Sequence, residues 1–186
     1  MKIHNVDIEI IKGDIAEQPD MDAIVNAANA ELQTGGGVAG AIHRAAGPTL
    51  AEECSPLAPI KPGKAVITRA HNLPNDHVIH CLGPIFGIDQ PEDQLLANCY
   101  KNSLQLAEEN KISSLAFPAI STGAFHYPIN EATDIVIKVL QDKLADTTSI
   151  EKIRFVLFTD FDLVKYEEKF NCFCSALLGP ACLCSA

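Results

Sequence analysis

Short apolar runs and longer amphipathic segments follow one another along the chain. The apolar runs predict strands at 6–11, 23–25, 65–68, 77–81, 114–120 and 153–158. The amphipathic segments, in which apolar residues recur at steps of three and four, predict helices at 41–46, 91–110, 130–144 and 163–170. Acidic and apolar residues alternate in the first strand, and we therefore expect it at an edge of the sheet.

The order of these segments predicts the fold class. Strands that alternate with helices favour an α/β fold, in which a mostly parallel sheet is covered by helices on both faces. The sequence has no internal repeat or low-complexity linker, so we expect one domain over residues 1–170 and a tail at 171–186. Such sheets bind ligands at the carboxyl ends of their strands. Two unusual loops lie at such positions, at 26–40 and 118–128.

The composition is that of a globular protein and restricts its partners. Of 186 residues, 47% are hydrophobic, and the formal net charge is -10. This charge would repel nucleic acids and anionic membranes, so we expect neither as a partner. The N-terminus has no apolar signal region and the seven cysteines are an odd number, which favours a reduced, cytoplasmic setting. An anionic ligand would have to be bound without a basic patch.

A glycine-rich loop offers a site of that kind. Four of the six residues at 35–40 are glycine, and a helix is predicted directly after them. The free N–H groups at a helix N-terminus bind anions without any basic side chain. The same residues match the fingerprint G-x-G-x-x-G of nicotinamide-dependent oxidoreductases, but no acidic residue follows about 20 residues later to bind a ribose. A tight turn with no ligand is the remaining alternative.

The second loop, at 118–128, also consists largely of small residues at the end of a predicted strand. The hydroxyls of Ser121 and Thr122 and the loop amides could bind a diphosphate from the side opposite to the glycines. Phe125 and Tyr127 would then enclose a sugar. An ordinary loop with aromatic residues packed beneath it would have the same composition.

Together, these motifs resemble those of the macrodomain family. The matching segments are Gly13-Asp14-Ile15 and residues 24–29, 35–43, 80–84 and 118–123. Their order and spacing are similar to those of the MacroD-type branch, and the resemblance extends over residues 2–170. It implies a three-layer α/β/α fold that binds ADP-ribose, without a metal or cofactor. Many members hydrolyse mono-ADP-ribose from protein Asp or Glu carboxylates, or deacetylate O-acetyl-ADP-ribose.

The resemblance assigns residues to the adenine end of such a ligand. Asp14 would accept a hydrogen bond from the adenine amino group, with the Ile15 amide beside it. Phe158 or Phe161 would stack on the adenine, and a shift of one residue in the alignment decides between them. Taken alone, an Asp after a strand is more often a helix cap.

The resemblance also assigns residues to the diphosphate and the distal ribose. Asn29, His43 and Phe125 would form the catalytic set, with Asn29 and Phe125 holding the ribose. The other ligand-binding residues would be Asn26, Gly35, Gly36, Gly37, Val38, Ser121, Thr122, Gly123 and Ala124. Taken alone, the two asparagines could be turn formers and His43 a partly buried histidine without a role in chemistry.

The sequence departs from the MacroD-type pattern at one chemically important position. The glycine loop of hydrolytic members usually reads Gly-Gly-Gly-Val-Asp-Gly, whereas Ala39 stands in the place of the Asp. Loss of one general base costs about 10²- to 10⁴-fold in rate. Some viral macrodomains resemble this chain in having Ala there and a Phe at the position of Phe125, and they are regarded as hydrolases. The resemblance therefore implies a monomeric hydrolase with substrate-assisted water attack; a non-catalytic reader of ADP-ribose is the alternative.

The tail at 171–186 lies outside the resemblance. It has no charged residue and contains Cys172, Cys174, Cys182 and Cys184. Zinc binding would be unusual at this Cys-x-Cys spacing. Prenylation is disfavoured because the fourth-last residue is Leu183. We expect no metal, and an apolar extension is the simplest interpretation.

Overall fold

The computed structural model describes residues 1–177, which form seven strands and five α-helices. The strands are β1 (Lys2–Ile3), β2 (Val6–Lys12), β3 (Ala23–Ala27), β4 (Ala65–Arg69), β5 (His77–Cys81), β6 (Ser114–Phe117) and β7 (Lys152–Leu157). The helices are α1 (Gly37–Ala46), α2 (Pro48–Cys54), α3 (Glu92–Glu109), α4 (Ile129–Lys143) and α5 (Asp160–Leu177), and a 3₁₀ turn at Ser55–Leu57 follows α2.

The described strands form one sheet in the order β1-β2-β7-β6-β3-β5-β4. Neighbours from β2 to β5 are parallel, whereas β1 and β4 at the two edges are antiparallel. The predicted α/β fold with a mostly parallel sheet is thus confirmed. The expected edge position of residues 6–11 is wrong, because Lys2 pairs with Asp7 and Ile3 with Val6. A strand of two residues is too short to show an alternating pattern, so β1 was not predicted.

Apolar layers cover both faces of the sheet. On one face, Val25 and Leu115 pack with the buried sides of α3, α4 and α5. On the other face, Ile24 and Ala116 pack with residues of α1 and α2; this second cluster, which contains Ile15, Ile24, Ile42, Leu50, Cys54, Val78 and Ala116, is called the α1 layer below. Consecutive strand residues point to opposite faces, so cover on both sides explains why the central strands are apolar runs.

The helices differ from their predicted bounds mainly at their ends. Helix α1 begins at Gly37, four residues before the predicted start at 41, because glycine does not contribute to an apolar pattern. Helix α2 was not predicted, because its seven residues make only about two helical turns and show no clear periodic pattern. Strand β6 ends at Phe117 because Pro118, which follows it, cannot donate to the sheet.

The last helix is longer than the predicted segment at 163–170. Helix α5 runs over Asp160–Leu177, so residues 171–177 of the predicted tail continue it, and Phe173 packs against the α3–α5 side of the core. Residues 178–186, with Cys182 and Cys184, lie outside the described part of the chain. Within residues 1–177, no helix is both long enough and apolar enough to cross a membrane.

Candidate functional site

The predicted ligand contacts follow four strands that are neighbours in the sheet. In sheet order, Asp14 and Ile15 follow β2, Phe158 follows β7, the loop at 121–125 follows β6, and Asn29 with the glycines follows β3. The parallel strands end on the same side of the sheet, and neighbouring strands lie about 4.8 Å apart, so this row extends over about 14 Å. The row can therefore hold an elongated ligand across the carboxyl ends of the strands.

Three of the four loops of this row border the α1 layer. Ile15 is buried in that layer, and Val38 and Phe125 pack against it from the glycine loop and from the loop after β6. These side chains belong to three different loops but share one apolar cluster. The candidate site therefore lies on the α1 side of the sheet.

At the β2 end of the row, Asp14 is exposed and starts a short turn. Its Oδ1 accepts a hydrogen bond from the Ala16 N–H at 2.9 Å, and the Gln18 Nε2 donates to the Asp14 carbonyl at 2.8 Å. No regular helix follows, so Asp14 does not cap one of the described helices. The Gly13 N–H donates to the Leu157 carbonyl at 3.0 Å and keeps Asp14 next to the end of β7.

Two exposed aromatic rings follow β7, the strand that pairs with β2. The exposed fraction is 81% for Phe158 and 63% for Phe161, which lies in the first turn of α5. The ammonium group of Lys165 lies 6.0 Å from the centre of the Phe161 ring. An aromatic ring that is open to solvent is available for stacking on a base. Both rings therefore remain candidates for stacking on an adenine.

At the β3 end of the row, a turn leads into the N-terminus of α1. Asn29 closes this turn, since its Nδ2 donates to the Gln33 carbonyl at 2.7 Å and its Oδ1 accepts from the Gln33 N–H at 3.1 Å. Gly35, Gly36 and Gly37 are exposed, and Gly36 caps α1 without a side-chain hydrogen bond. Gly37 has a φ of +53°, a conformation that favours glycine.

The first turn of α1 is suited to an anion. The Gly40 N–H donates to the Gly36 carbonyl at 3.2 Å, so the N–H groups of Gly37, Val38 and Ala39 precede the first helical hydrogen bond. The first turn has no acidic residue that would repel an anion. The helix dipole and three free N–H groups together favour a phosphate at this position.

The loop after β6 is held by its own hydrogen bonds. The Tyr127 N–H donates to the Ser121 carbonyl and the His126 N–H to the Gly123 carbonyl, both at 3.0 Å. The Thr122 hydroxyl donates to the Ala119 carbonyl at 3.0 Å, and the Ser121 side chain is buried. The two hydroxyls are thus directed into the protein, and the donors that this loop can offer to a ligand are backbone amides.

The aromatic residues of this loop have different environments. Phe125 is half-buried against the α1 layer, and its carbonyl accepts a hydrogen bond from the Phe86 N–H at 3.0 Å. Tyr127 is buried on the other side of the sheet, where its hydroxyl donates to Asp93 at 2.6 Å. Burial and the Asp93 carboxylate raise the pKa of Tyr127. The expectation that Tyr127 encloses a sugar is therefore wrong, because its side chain packs into the core.

Asn26 and His43 lie beneath the glycine loop, in the α1 layer. Asn26 has no exposed surface, and its Nδ2 lies 3.1 Å from the Nδ1 of His80. His43 is 6% exposed, and burial lowers its pKa, which favours the neutral ring. Ala39 precedes His43 by one helical turn and is equally buried. The contact of Asn26 with a ligand stays a prediction, and its burial favours a supporting role.

Sequence reasoning missed Thr68 and His80 as partners of this site. Thr68 is buried in β4 and His80 is buried in β5. The hydroxyl of Thr68 lies 2.9 Å from the Nε2 of His80. The only signal in the sequence is a polar residue inside an otherwise apolar strand. Within the described part of the chain, no three His, Cys, Asp or Glu side chains come together as a metal site would require.

Comparisons with known proteins identify the family. The family model described as the Macro domain matches residues 25–136. A macro domain-containing protein of Chlorobaculum tepidum is 49% identical over 165 residues, which cover 88% of this chain and 95% of the relative. An O-acetyl-ADP-ribose deacetylase of Klebsiella pneumoniae is 48% identical over 157 residues, which cover 82% of this chain and 89% of the relative.

A solved structure agrees with this assignment. The Oceanobacillus iheyensis macrodomain with ADP superposes with a TM-score of 0.88 at 38% identity, and the match covers 94% of this chain and 95% of the other. A mutant of the same macrodomain, with ADPR, superposes equally well. The chain therefore belongs to the Macro domain family.

Proposed function

We propose that the chain is a MacroD-type macrodomain that binds ADP-ribose and hydrolyses its esters, namely O-acetyl-ADP-ribose and mono-ADP-ribose on protein Asp or Glu residues. One observation carries this proposal, namely the order of groups along four neighbouring strand ends. The Asp14 carboxylate follows β2 and the exposed aromatic rings follow β7. Backbone amides follow β6, and Asn29 with the N-terminus of α1 follows β3. This order corresponds to adenine, diphosphate and distal ribose along the ligand. The proposed setting is a cytoplasmic monomer with no nucleic-acid partner.

The names of relatives support the same chemistry. The Klebsiella pneumoniae relative is named an O-acetyl-ADP-ribose deacetylase, and the Oceanobacillus iheyensis macrodomain was solved with ADP and, as a mutant, with ADPR. A diphosphate fits a protein of net charge -10 because the donors near it are backbone N–H groups, which do not depend on basic side chains.

The reaction needs water and a well-oriented ester. In O-acetyl-ADP-ribose, attack of water on the acetyl carbonyl breaks the ester C–O bond and gives acetate and ADP-ribose. Ala39 has no carboxylate to activate this water, so a phosphate oxygen of the substrate, directly or through a ribose hydroxyl, would take its proton, and the leaving ribose oxygen would end up protonated. Asn29 and Phe125 would hold the distal ribose, and effective positioning of this kind contributes a large part of enzymatic rate.

A non-catalytic reader of ADP-ribose is the second candidate, because Ala39 replaces the usual Asp. Incubation with a protein that carries carboxylate-linked mono-ADP-ribose separates the two functions. A hydrolase releases ADP-ribose at a rate proportional to enzyme concentration, and the Asn29→Ala variant releases much less. Tight binding of ADP-ribose with no release even at high enzyme concentration would establish the reader.

A further inference from the structure

A chain of three buried polar side chains crosses the α1 layer. Thr68, His80 and Asn26 have exposed fractions of 3%, 0% and 0%. The Thr68 Oγ1 lies 2.9 Å from the His80 Nε2, and the His80 Nδ1 lies 3.1 Å from the Asn26 Nδ2. Polar groups buried among apolar residues are costly unless each is hydrogen-bonded, so the arrangement of donors and acceptors in such a chain is strongly constrained.

The hydroxyl of Thr68 determines which nitrogen of His80 carries the proton. Its donation to the Arg69 carbonyl at 3.0 Å leaves its oxygen to accept from His80. The Asn26 Nδ2, which can only donate, faces the other ring nitrogen and requires the same tautomer. The His80 Nε2 is therefore the donor. The Cys54 Sγ, 3.7 Å from the same nitrogen, can share this hydrogen only weakly.

The ring of His80 stays neutral at physiological pH. Burial, and to a lesser extent the neighbouring His43, lower the pKa of His80 to about 3. A neutral imidazole has one donor and one acceptor. With the proton on Nε2, Nδ1 must accept, and the group of Asn26 that faces it must be the amide NH₂.

The orientation of the Asn26 amide follows from this tautomer. Its Oδ1 is turned away from His80 and is buried without a hydrogen-bond partner in residues 1–177. The His43 Nε2 is likewise buried and unpartnered in that part of the chain, and the rings of His43 and His80 lie 6.4 Å apart. Two buried side chains that each have an unpartnered polar atom are thus neighbours of His80. Asn26 lies on β3, which leads into the turn of Asn29, and His43 lies on α1, which follows the glycines.

We propose that Thr68, His80 and Asn26 form a positioning relay for the catalytic loop. The Thr68 hydroxyl sets the tautomer of His80, and the tautomer keeps the NH₂ group of the Asn26 amide toward His80 and its oxygen turned away from that ring, three residues before Asn29 in the chain. The inference rests on the proposed function, since it concerns the hydrolytic geometry of the same site. None of the three residues is itself a catalytic residue.

The Thr68→Val variant tests the relay, because it replaces the hydroxyl by a methyl group of similar size. His80 then loses its acceptor and is expected to move its proton to Nδ1, which forces the Asn26 amide to turn over. The kcat for O-acetyl-ADP-ribose should fall about tenfold or more, since small displacements of a reacting group have large effects on rate. The Kd for ADP-ribose should change by less than about threefold, because the diphosphate contacts are intact.

Two further variants separate positioning from stability. Thr68→Ser restores the hydroxyl and should return kcat to within about twofold of the wild type. Thr133→Val removes another buried threonine hydroxyl, which donates to the Ile129 carbonyl at 2.7 Å on the opposite side of the sheet. It should lower Tm to a similar degree without lowering kcat.

The ¹⁵N chemical shifts of the His80 ring provide a readout that does not depend on activity. They should show a protonated Nε2 in the wild type and a protonated Nδ1 in Thr68→Val. An unchanged tautomer, an unchanged kcat in Thr68→Val, or an equal loss of kcat in Thr133→Val would overturn the relay. If the wild type hydrolyses no ester, the proposed function fails by itself, and the tautomer in the two Thr68 variants still decides whether the hydroxyl controls His80.

Discussion

The hydroxyl of Ser121 lies directly against the Cα of Gly83, in the space that a side chain at position 83 would occupy. Gly83 follows β5 and Ser121 follows β6, and β3 lies between these two strands in the sheet. The contact therefore passes over the end of β3, next to the loop that carries Asn29. It joins the loop after β6, which belongs to the candidate site, to the residues after β5, and the Ile120 Cγ2 also lies where a side chain at position 83 would begin. Only glycine permits so close an approach.

Gly83→Ala is expected to destabilise the protein and to weaken ADP-ribose binding. The added methyl group would overlap the Ser121 hydroxyl, and overpacking of this kind costs about 1–3 kcal/mol. Thermal unfolding and calorimetric titration with ADP-ribose measure the two effects. The matched control is Gly13→Ala, whose methyl group would lie 3.6 Å from the Val156 Cγ1, an ordinary contact, and which should keep the wild-type Tm.

A double variant tests whether the overlap is the cause. Ser121 has a φ of +66°, a conformation that glycine adopts without strain, so Ser121→Gly is compatible with the loop. Gly83→Ala combined with Ser121→Gly should recover part of the lost stability, because the added methyl group would still lie 2.8 Å from the Ile120 Cγ2. Additive losses in the double variant would contradict the explanation by direct contact.

Asp14→Asn is expected to weaken ADP-ribose binding about tenfold to a hundredfold, because a charge-assisted hydrogen bond is worth about 1.5–3 kcal/mol. Asn keeps the oxygen that accepts from the Ala16 N–H, so the turn and the Tm should be preserved. Titration with ADP-ribose and with its hypoxanthine analogue, which lacks the amino group, measures the effect. Equal losses for both ligands would show that Asp14 does not contact the adenine amino group.

Phe158→Ala should weaken ADP-ribose binding more than Phe161→Ala. The ammonium group of Lys165 lies 6.0 Å from the Phe161 ring, whereas Phe158 is 81% exposed and follows the strand next to Asp14. Stacking of a base on an aromatic ring is worth about 1–3 kcal/mol, or about fivefold to 150-fold in Kd. Both rings are exposed, so Tm should change little. A larger loss of affinity in Phe161→Ala would reverse the assignment.

Ala39→Asp tests how water is activated. If the substrate supplies the base, the added carboxylate should change kcat for O-acetyl-ADP-ribose by less than about threefold. Initial rates at saturating substrate, with Kd for ADP-ribose measured in parallel, separate rate from binding. An increase of a hundredfold or more with an unchanged Kd would show that a missing general base limits the wild type.

The sequence predicted the loops that form the candidate site but not the buried side-chain contacts beneath them. The glycines at 35–37 and the strands around them are local patterns, and they predicted the class of fold and the position of the candidate site. The burial of Tyr127 and the partnership of Asn26 with His80 depend on which strands become neighbours. Asn26 and His80 are separated by 54 residues, so no local pattern can show that they are paired.

Two short elements, β1 and α2, were not predicted for a different reason. Strand β1 has two residues and α2 has seven, and a periodic pattern cannot be recognised over such lengths. Both elements are stabilised by tertiary contacts. Strand β1 pairs with β2, and α2 buries Leu50 and Cys54 in the α1 layer. The choice between Phe158 and Phe161 also needs the structure, because both are equally apolar in sequence.

The most direct test of the account is calorimetric titration of the wild-type chain with ADP-ribose and with NAD under identical conditions. The row of strand ends predicts saturable one-to-one binding of ADP-ribose, with a lower Kd than for NAD, whose nicotinamide would crowd the end that holds Asn29. No binding of ADP-ribose, or a preference for intact NAD, would contradict the account.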